Sequence, residues 1–176
     1  MKIRAVYPGT FDPVHYGHLD LMSRGVFLFG ELVVAVYDHV RPTKSVLFTV
    51  EERVHMIEEA LGPQDSITVQ SFSGLLVNFM REIDARVIVR GLRVFSDFEF
   101  EFRTALANKR LASEIETVSL MAREEHTFLS GSTVREIAAL RGDVTSMVPP
   151  NVAKALYARL LGEEDIGYDP PEPLRD

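Results

Sequence analysis

Two histidines stand three residues apart in the run His15-Tyr16-Gly17-His18, and five residues before the first of them is Thr10, itself preceded by Gly9. An apolar run over residues 3–7 leads into this segment and a helical pattern leads out of it. A glycine and a hydroxyl at a strand end let backbone approach a phosphate closely, and a helix amino end adds unpaired N–H groups and a favourable dipole. Imidazoles aimed at the same place supply further donors. Phosphoryl chemistry asks little else of a protein, because catalysis rests on positioning both reactants and stabilising charge on the phosphorus oxygens. Either histidine alone reads better as an ordinary loop or cap residue. The Gly-Thr pair, two prolines, two glycines and two histidines between one strand and one helix together point to phosphate chemistry.

The elements that must position these residues follow from periodicity. Residues 3–7, 32–37, 67–69, 87–89 and 115–121 are apolar runs of strand length. Between them, residues 18–29 carry Leu19, Met22, Val26 and Phe29 at helical spacing, and Thr49-Val50-Glu51-Glu52 reads as a capping box whose helix Gly62-Pro63 stops. A third helix is predicted over residues 75–83, and Thr133-Val134-Arg135-Glu136 is predicted to cap another that ends at Arg141-Gly142. Residues 98–102 alternate as a strand would, but Ala105, Leu106 and Ala107 continue in helical fashion. The spacing therefore predicts a helix over 98–111, capped by Asp97, with Phe98 and Phe102 on one face. This alternation predicts an α/β fold: a single Rossmann-like domain with a parallel five-stranded sheet covered by helices on both faces. Ligands in such a sheet sit at the carboxyl ends of the strands, near a switch in strand order. The domain is expected over residues 1–161, with residues 162–176, acidic and holding three of the nine prolines, as a loose tail.

The 176 residues suit one domain, and 46% hydrophobic with 26% charged residues excludes a disordered or fibrous chain. A net charge of −7 repels polyanions, so no nucleic-acid and no membrane partner is expected, and any phosphate must be met by cations placed locally. No apolar run approaches the ~20 residues of a membrane span, and Met1-Lys2 leads directly into a strand-like stretch, which predicts a cytoplasmic protein. The absence of cysteine excludes disulfides, thiolate zinc sites and cysteine nucleophiles. Any metal would need oxygen or imidazole ligands, and no protein-built metal site is read from the sequence.

Residues 7–18 resemble the signature of the HxGH nucleotidyltransferases, and residues 1–161 as a whole resemble the bacterial phosphopantetheine adenylyltransferases. The resemblance is carried further by Phe48-Thr49-Val50-Glu51-Glu52-Arg53, by Arg90-Gly91-Leu92-Arg93 with Asp97-Phe98-Glu99-Phe100-Glu101, and by residues 128–134 followed by Gly142-Asp143-Val144. It implies transfer of AMP from ATP to 4′-phosphopantetheine with release of pyrophosphate, a step of coenzyme A synthesis, with Mg2+ and as a homohexamer. By position it implies that Thr10 contacts both substrates, that His18 stabilises the transition state, and that Lys44 and Arg90 hold the acceptor phosphate. It further implies ATP contacts from Phe11, Gly91, Leu92, Arg93, Glu101, His126, Thr127, Phe128, Leu129, Ser130, Gly131 and Ser132, and an acceptor-arm contact from Leu76. Local cations agree with the physics, since an anionic acceptor must approach an anionic triphosphate. Arg90 follows the apolar run 87–89, which predicts that it emerges at a strand's carboxyl end, with Arg93 beyond it.

Alternatives remain at several positions. The competing readings are surface ion pairs with Asp97 or Glu99 for Arg90 and Arg93, which position at a strand end disfavours, helix caps for Ser130 and Ser132, and core for Leu76. Many members of the family have three consecutive serines where this chain reads Ser130-Gly131-Ser132, and the loop 38–44 is unlike the small-residue loop the resemblance leads one to expect. Another enzyme with the same motif, such as a nicotinate-mononucleotide adenylyltransferase or a cytidylyltransferase, and a non-catalytic nucleotide-sensing protein are the competing readings.

Overall fold

A computed structural model of the chain describes residues 2–38 and 46–162. Lys44, proposed from the resemblance as an acceptor ligand, and His39 lie outside the described residues, as does the tail from 163 on.

Five strands, β1 (Ile3–Gly9), β2 (Gly30–Tyr37), β3 (Ile67–Phe72), β4 (Val87–Leu92) and β5 (Glu116–Met121), pair in parallel in the order β3-β2-β1-β4-β5. The described helices are α1 (Tyr16–Phe29), α2 (Val50–Leu61), α3 (Leu76–Glu82), α4 (Phe95–Leu111), α5 (Gly131–Ala139) and α6 (Pro150–Leu161), with a single 3-10 turn at Glu124–His126. Successive strand residues point to opposite faces, which divides the core in two. Ala5, Tyr7, Leu32, Val34, Val36 and Val89 meet Met22 of α1, Ile57 of α2, Val134 of α5 and Leu156 of α6. On the other face Val6, Val33, Ala35 and Ile88 meet Val77 and Met80 of α3 together with Ala112 and Ile115. Each large side chain removed from water in this way contributes roughly 1.5–3 kcal/mol. The sheet is therefore parallel, five-stranded and covered on both faces, as the alternation of elements predicts.

The elements differ from the sequence reading mainly at their ends. β3 and β4 run on through polar residues because ladder pairing sets a strand's length: Gln70 and Ser71 pair with Ala35 and Val36, and Arg90 and Gly91 with Ser119 and Leu120. Arg90 thus lies in the carboxyl half of β4, with Gly91 and Leu92 still paired after it. α1 starts at Tyr16 with His15 as its N-cap. α4 starts at Phe95, and Asp97, expected as its cap, sits in the first turn with its carboxylate accepting from the Arg93 backbone N–H at 3.2 Å. Phe98 and Phe102 do share a face, their rings stacked 5.7 Å apart. The cap of α5 is Ser130 and not Thr133, whose own N–H donates to Ser130 Oγ at 3.1 Å, and the helix ends at Ala139. The sequence reading had no counterpart to α6. Pro149-Pro150 reads as a breaker, yet proline suits the first turn of a helix, where no N–H is needed.

One buried cation ties the strand ends to α2. Arg53 is 2% exposed. Its Nε donates to the carbonyls of Phe48 and Thr49, and its Nη1 to those of Thr10 at 2.6 Å and Tyr37 at 3.1 Å. The guanidinium thereby joins the carboxyl ends of β1 and β2 to the start of α2. Replacing it leaves buried carbonyls without their charged donor. Arg53→Met is expected to lower the free energy of unfolding by about 3 kcal/mol in urea denaturation.

Candidate active site

β1 and β4 are neighbours for only two registered pairs, Ala5 with Val87 and Val6 with Ile88. Beyond Val6 they part, and Pro8, which has no N–H to offer a ladder, stands on the β1 side of the gap. Arg90 crosses the gap from β4, donating from Nη1 to the Pro8 carbonyl at 2.8 Å. Here the strand order reverses, since β2 and β3 lie on one side of β1 and β4 and β5 on the other. Two cavities of about 400 and 450 Å³ open at this point and share Pro8, Gly9, Thr10, Arg90 and Glu101 as walls.

The larger part of the expected site converges on the first cavity. Thr10, Phe11 and His18 line it from β1 and α1, Arg90, Gly91 and Arg93 from β4 and its end, and Glu101 from α4. His126, Ser130, Gly131 and Ser132 close it from the far side. Leu76 lines the second cavity with Phe72, Phe100 and Ala105, beside Thr10 and Arg90. Among the described residues, four of the expected ones line neither. Leu129 is buried in the core, Phe128 is exposed, Thr127 donates its hydroxyl to the Glu124 carbonyl at 2.8 Å, and Leu92 ends β4 opposite Met121.

The arginines are held in fixed poses. Arg90 presents Nε and Nη2 to the two carboxylate oxygens of Glu101, both at 2.6 Å, in a bidentate pair. Burial would depress the guanidinium pKa, but Glu101 outweighs it and the pKa is raised. With the Pro8 contact, three of its five N–H donors are engaged and two remain for a ligand. Arg93 donates to the Leu129 carbonyl at 2.6 Å and from Nε to Asp97 at 3.1 Å, which ties the 126–132 segment to β4. Of the surface ion pairs with Asp97 or Glu99 that compete with a functional reading of these arginines, only that of Arg93 with Asp97 forms. Glu99 instead pairs with Arg103 on the exposed face of α4.

Asp12, which the sequence alone does not single out, joins the β1–α1 turn to the residues ahead of α2 and to α5. Its carboxylate accepts from the backbone N–H groups of Leu47 and Phe48 at 2.8 and 3.0 Å and from Arg135 of α5 at 2.9 Å, and its carbonyl accepts from the same Arg135. Leu47 and Phe48, just ahead of α2, are thus held against the β1–α1 turn. The close approach of α5 depends on Gly131, where an added Cβ would lie 2.7 Å from the Asp12 carbonyl oxygen. A serine at this position would have to displace backbone. An Asp beside a Pro at a strand end, with an Arg inside a capping motif, was the available signal, but nothing in sequence spacing links residues 123 positions apart.

The two histidines are stacked, with ring centroids 3.6 Å apart and planes 20° apart. His15 is 4% exposed and its Nδ1 is buried without a hydrogen-bond partner. Burial, with help from the nearby Arg93 and His126, pushes its pKa down to about 3. The pKa of His18 is also held well below the ordinary value, by enclosure first and then by His15, Arg93 and Arg90. The edge of the Phe11 ring meets His18 at 4.9 Å. Phe11 takes a φ of 51°, which turns its ring back under Gly9, where a Cβ would come 2.8 Å from that ring. Residues at the amino ends of α1 and α5, with Thr10, Ser130, Ser132 and Arg90, therefore line one volume, an arrangement fitted to oxyanions of phosphorus.

Comparison with known proteins places this geometry in a family. The family model described as cytidylyltransferase-like matches residues 6–137. The chain is 51% identical over 166 residues to the phosphopantetheine adenylyltransferase of Heliobacterium modesticaldum, covering 94% of this chain and 97% of that one. To the protein of the same name from Alkalilimnicola ehrlichii it is 50% identical over 162 residues, covering 92% and 93%. To that from Thermotoga neapolitana it is 48% identical over 156 residues, covering 89% and 96%. Among solved structures, a putative nicotinate-nucleotide adenylyltransferase from Vibrio parahaemolyticus superposes with a TM-score of 0.67 at 16% identity, covering 93% of this chain and 97% of that one. That likeness concerns the fold alone. Identity near one residue in two over nine-tenths of the chain places it, within the cytidylyltransferase-like nucleotidyltransferases, in the phosphopantetheine adenylyltransferase family.

Proposed function

We propose that the protein transfers AMP from ATP to 4′-phosphopantetheine, giving dephospho-coenzyme A and pyrophosphate, in the cytoplasm. The observation that carries this reading is the pair of cavities meeting at Thr10, Arg90 and Glu101. One is walled by hydroxyls, helix amino ends and histidines, which suits a triphosphate. The other is partly apolar through Leu76, Phe72, Phe100 and Ala105, which suits the uncharged arm of an acceptor whose phosphate reaches Arg90. The relatives' shared name supports phosphopantetheine as the acceptor and an adenylyl unit as the group transferred.

In this reading an oxygen of the acceptor phosphate attacks the α-phosphorus of ATP, and the bond to the departing pyrophosphate breaks in line with it. The attacking oxygen is already anionic, so no protein base and no covalent enzyme intermediate is required. Arg90 spends its two remaining donors on the acceptor phosphate, with Lys44 as the second cation. Thr10 touches both substrates, and His18 donates to the oxygens of the α-phosphorus. Ser130, Ser132 and the N–H groups of α5 take the outer phosphates, while Phe11, the stretch from Gly91 to Arg93, and His126 flank the nucleotide. Leu92, Thr127, Phe128 and Leu129 contribute through backbone. Glu101 serves the nucleotide and acceptor together by fixing Arg90 between them.

Mg2+ is proposed to enter on the triphosphate. Among the described residues no group of three or more His, Asp or Glu side chains is arranged to hold a metal ion, so the ion would keep phosphate and water ligands, and no protein ligand is assigned. The net charge of −7 supports a reading without nucleic-acid or membrane partners. Among the described residues no helix is long and apolar enough to cross a membrane. Residues 1–161 are proposed as the whole transferase domain. A homohexamer is proposed as the working assembly, supported by α4, where Phe98, Phe100, Phe102 and Leu106 are each at least half exposed.

Pyrophosphate release from ATP with 4′-phosphopantetheine, and none with nicotinate mononucleotide, is the expected result. Release only with another phosphorylated acceptor, or with none, would overturn the reading. In the same assay His18→Ala should lower kcat by about 10²–10³-fold while ATP affinity holds. Glu101→Gln, which leaves Arg90 without its charged partner, should raise KM for the acceptor roughly tenfold, and more than KM for ATP. Sedimentation velocity should give a six-chain mass, and Phe98→Glu combined with Phe102→Glu should break it into smaller species.

A further inference from the structure

The amino end of α1 carries a consequence for how His18 works. The backbone N–H of His15 donates to Nδ1 of His18, 3.3 Å away, so the histidine at the third helical position takes the part that an acidic side chain plays in a capping box. A backbone N–H is only a donor, and the nitrogen it meets must present a lone pair. A neutral imidazole carries one N–H, which here falls on Nε2. Protonation would set Nδ1–H against N–H and leave a helix-end donor unpaired.

The surroundings act in the same sense. His15 covers one face of the His18 ring at 3.6 Å, and two imidazolium rings at that distance repel. The seat of the His15 ring is cut by Gly17, where an added Cβ would come 3.2 Å from that ring and 3.3 Å from His126 Cβ. The titratable and charged groups around the pair are Tyr7 from β1, Arg90 from β4, Arg93 just beyond it, and His126 from the 3-10 turn. The carboxylates nearest these arginines, Glu101 and Asp97, are already paired with them.

We propose that the amino end of α1 locks His18 as the neutral tautomer with its proton on Nε2, and that His15 is the positioning residue that keeps it so. His18 is then a fixed hydrogen-bond donor toward the cleft, not an acid and not a cation, and it works unchanged across the pH range in which a free histidine titrates. What the donor serves rests on the adenylyl-transfer reading above. The tautomer is read on the substrate-free protein, so the two fail separately.

The test is nitrogen NMR of the full chain labelled with 15N-histidine, with the His18 signals assigned by their loss in His18→Gln, titrated from about pH 5 to about pH 8. The expected wild-type spectrum keeps His18 in the Nε2–H pattern throughout. An Nδ1–H pattern, or a titration near the ordinary histidine value, overturns the proposal. In His15→Ala, water reaches the uncovered ring face, so a His18 titration should enter this window and kcat should fall roughly tenfold at its acid end relative to wild type at the same pH. His15→Phe, which keeps a ring on that face, should restore the neutral pattern. A His18 spectrum indifferent to both substitutions removes His15 from the role. Should His15→Ala not fold, His15→Asn supplies the uncovered face.

Discussion

β1 and β4 lie side by side for two residues and then separate, and most of the site hangs on that separation. A parallel sheet whose chain runs outward on one side of its first strand and then returns to build the other side leaves a seam between the first strands of the two halves. In such a sheet a crevice opens at that seam, outside the carboxyl ends of the strands. Pro8 keeps the seam from closing, having no N–H for a further rung, and Arg90 props it with a hydrogen bond to the Pro8 carbonyl. The two cavities are the space this leaves, and Thr10 at the end of β1 stands where they meet.

An acidic chain that handles polyanions must collect positive potential in a small volume without leaving unpaired charge in it. This protein does so by giving each cleft arginine one carboxylate and one carbonyl: Arg90 has Glu101 and Pro8, Arg93 has Asp97 and Leu129, and Arg135 has the side chain and backbone of the single residue Asp12. Bidentate or chelating contacts fix planar guanidinium groups where an ammonium would swing. The pairing costs net charge, and the geometry is what remains: N–H groups already aimed, with little rotamer freedom left to lose when a phosphate arrives. Neutral donors then supply the rest, from helix ends, serine hydroxyls and imidazoles that the same cations help to keep uncharged.

Much of the architecture was legible because it follows from local rules. Alternating apolar strands and helical stretches dictated a covered parallel sheet, and the placement of a glycine, a hydroxyl and two histidines between β1 and α1 marked where phosphate chemistry would sit. Element ends were less legible. A strand continues while its neighbours offer partners, which is how Gln70, Ser71 and Arg90 came to lie inside strands. Ser130 took the cap from Thr133 because α5 is pinned to Asp12, and the helix after Pro149-Pro150 is stabilised by Val152, Ala153 and Leu156 packing into a core that sequence periodicity does not reveal.

The sequence by itself determined the fold class, the family, and the residue types brought to the seam, because those depend on periodicity and on motifs held within a few positions of one another. Only the tertiary structure decided which groups are partners: Arg90 with Glu101 across 11 positions, Arg53 with Thr10 across 43, Arg93 with Leu129 across 36 and Asp12 with Arg135 across 123. It also decided the inequality of the two histidines. A stack at 3.6 Å and one backbone N–H fix what each nitrogen can do, and those distances arise from how a loop, a helix end and two strands converge in space.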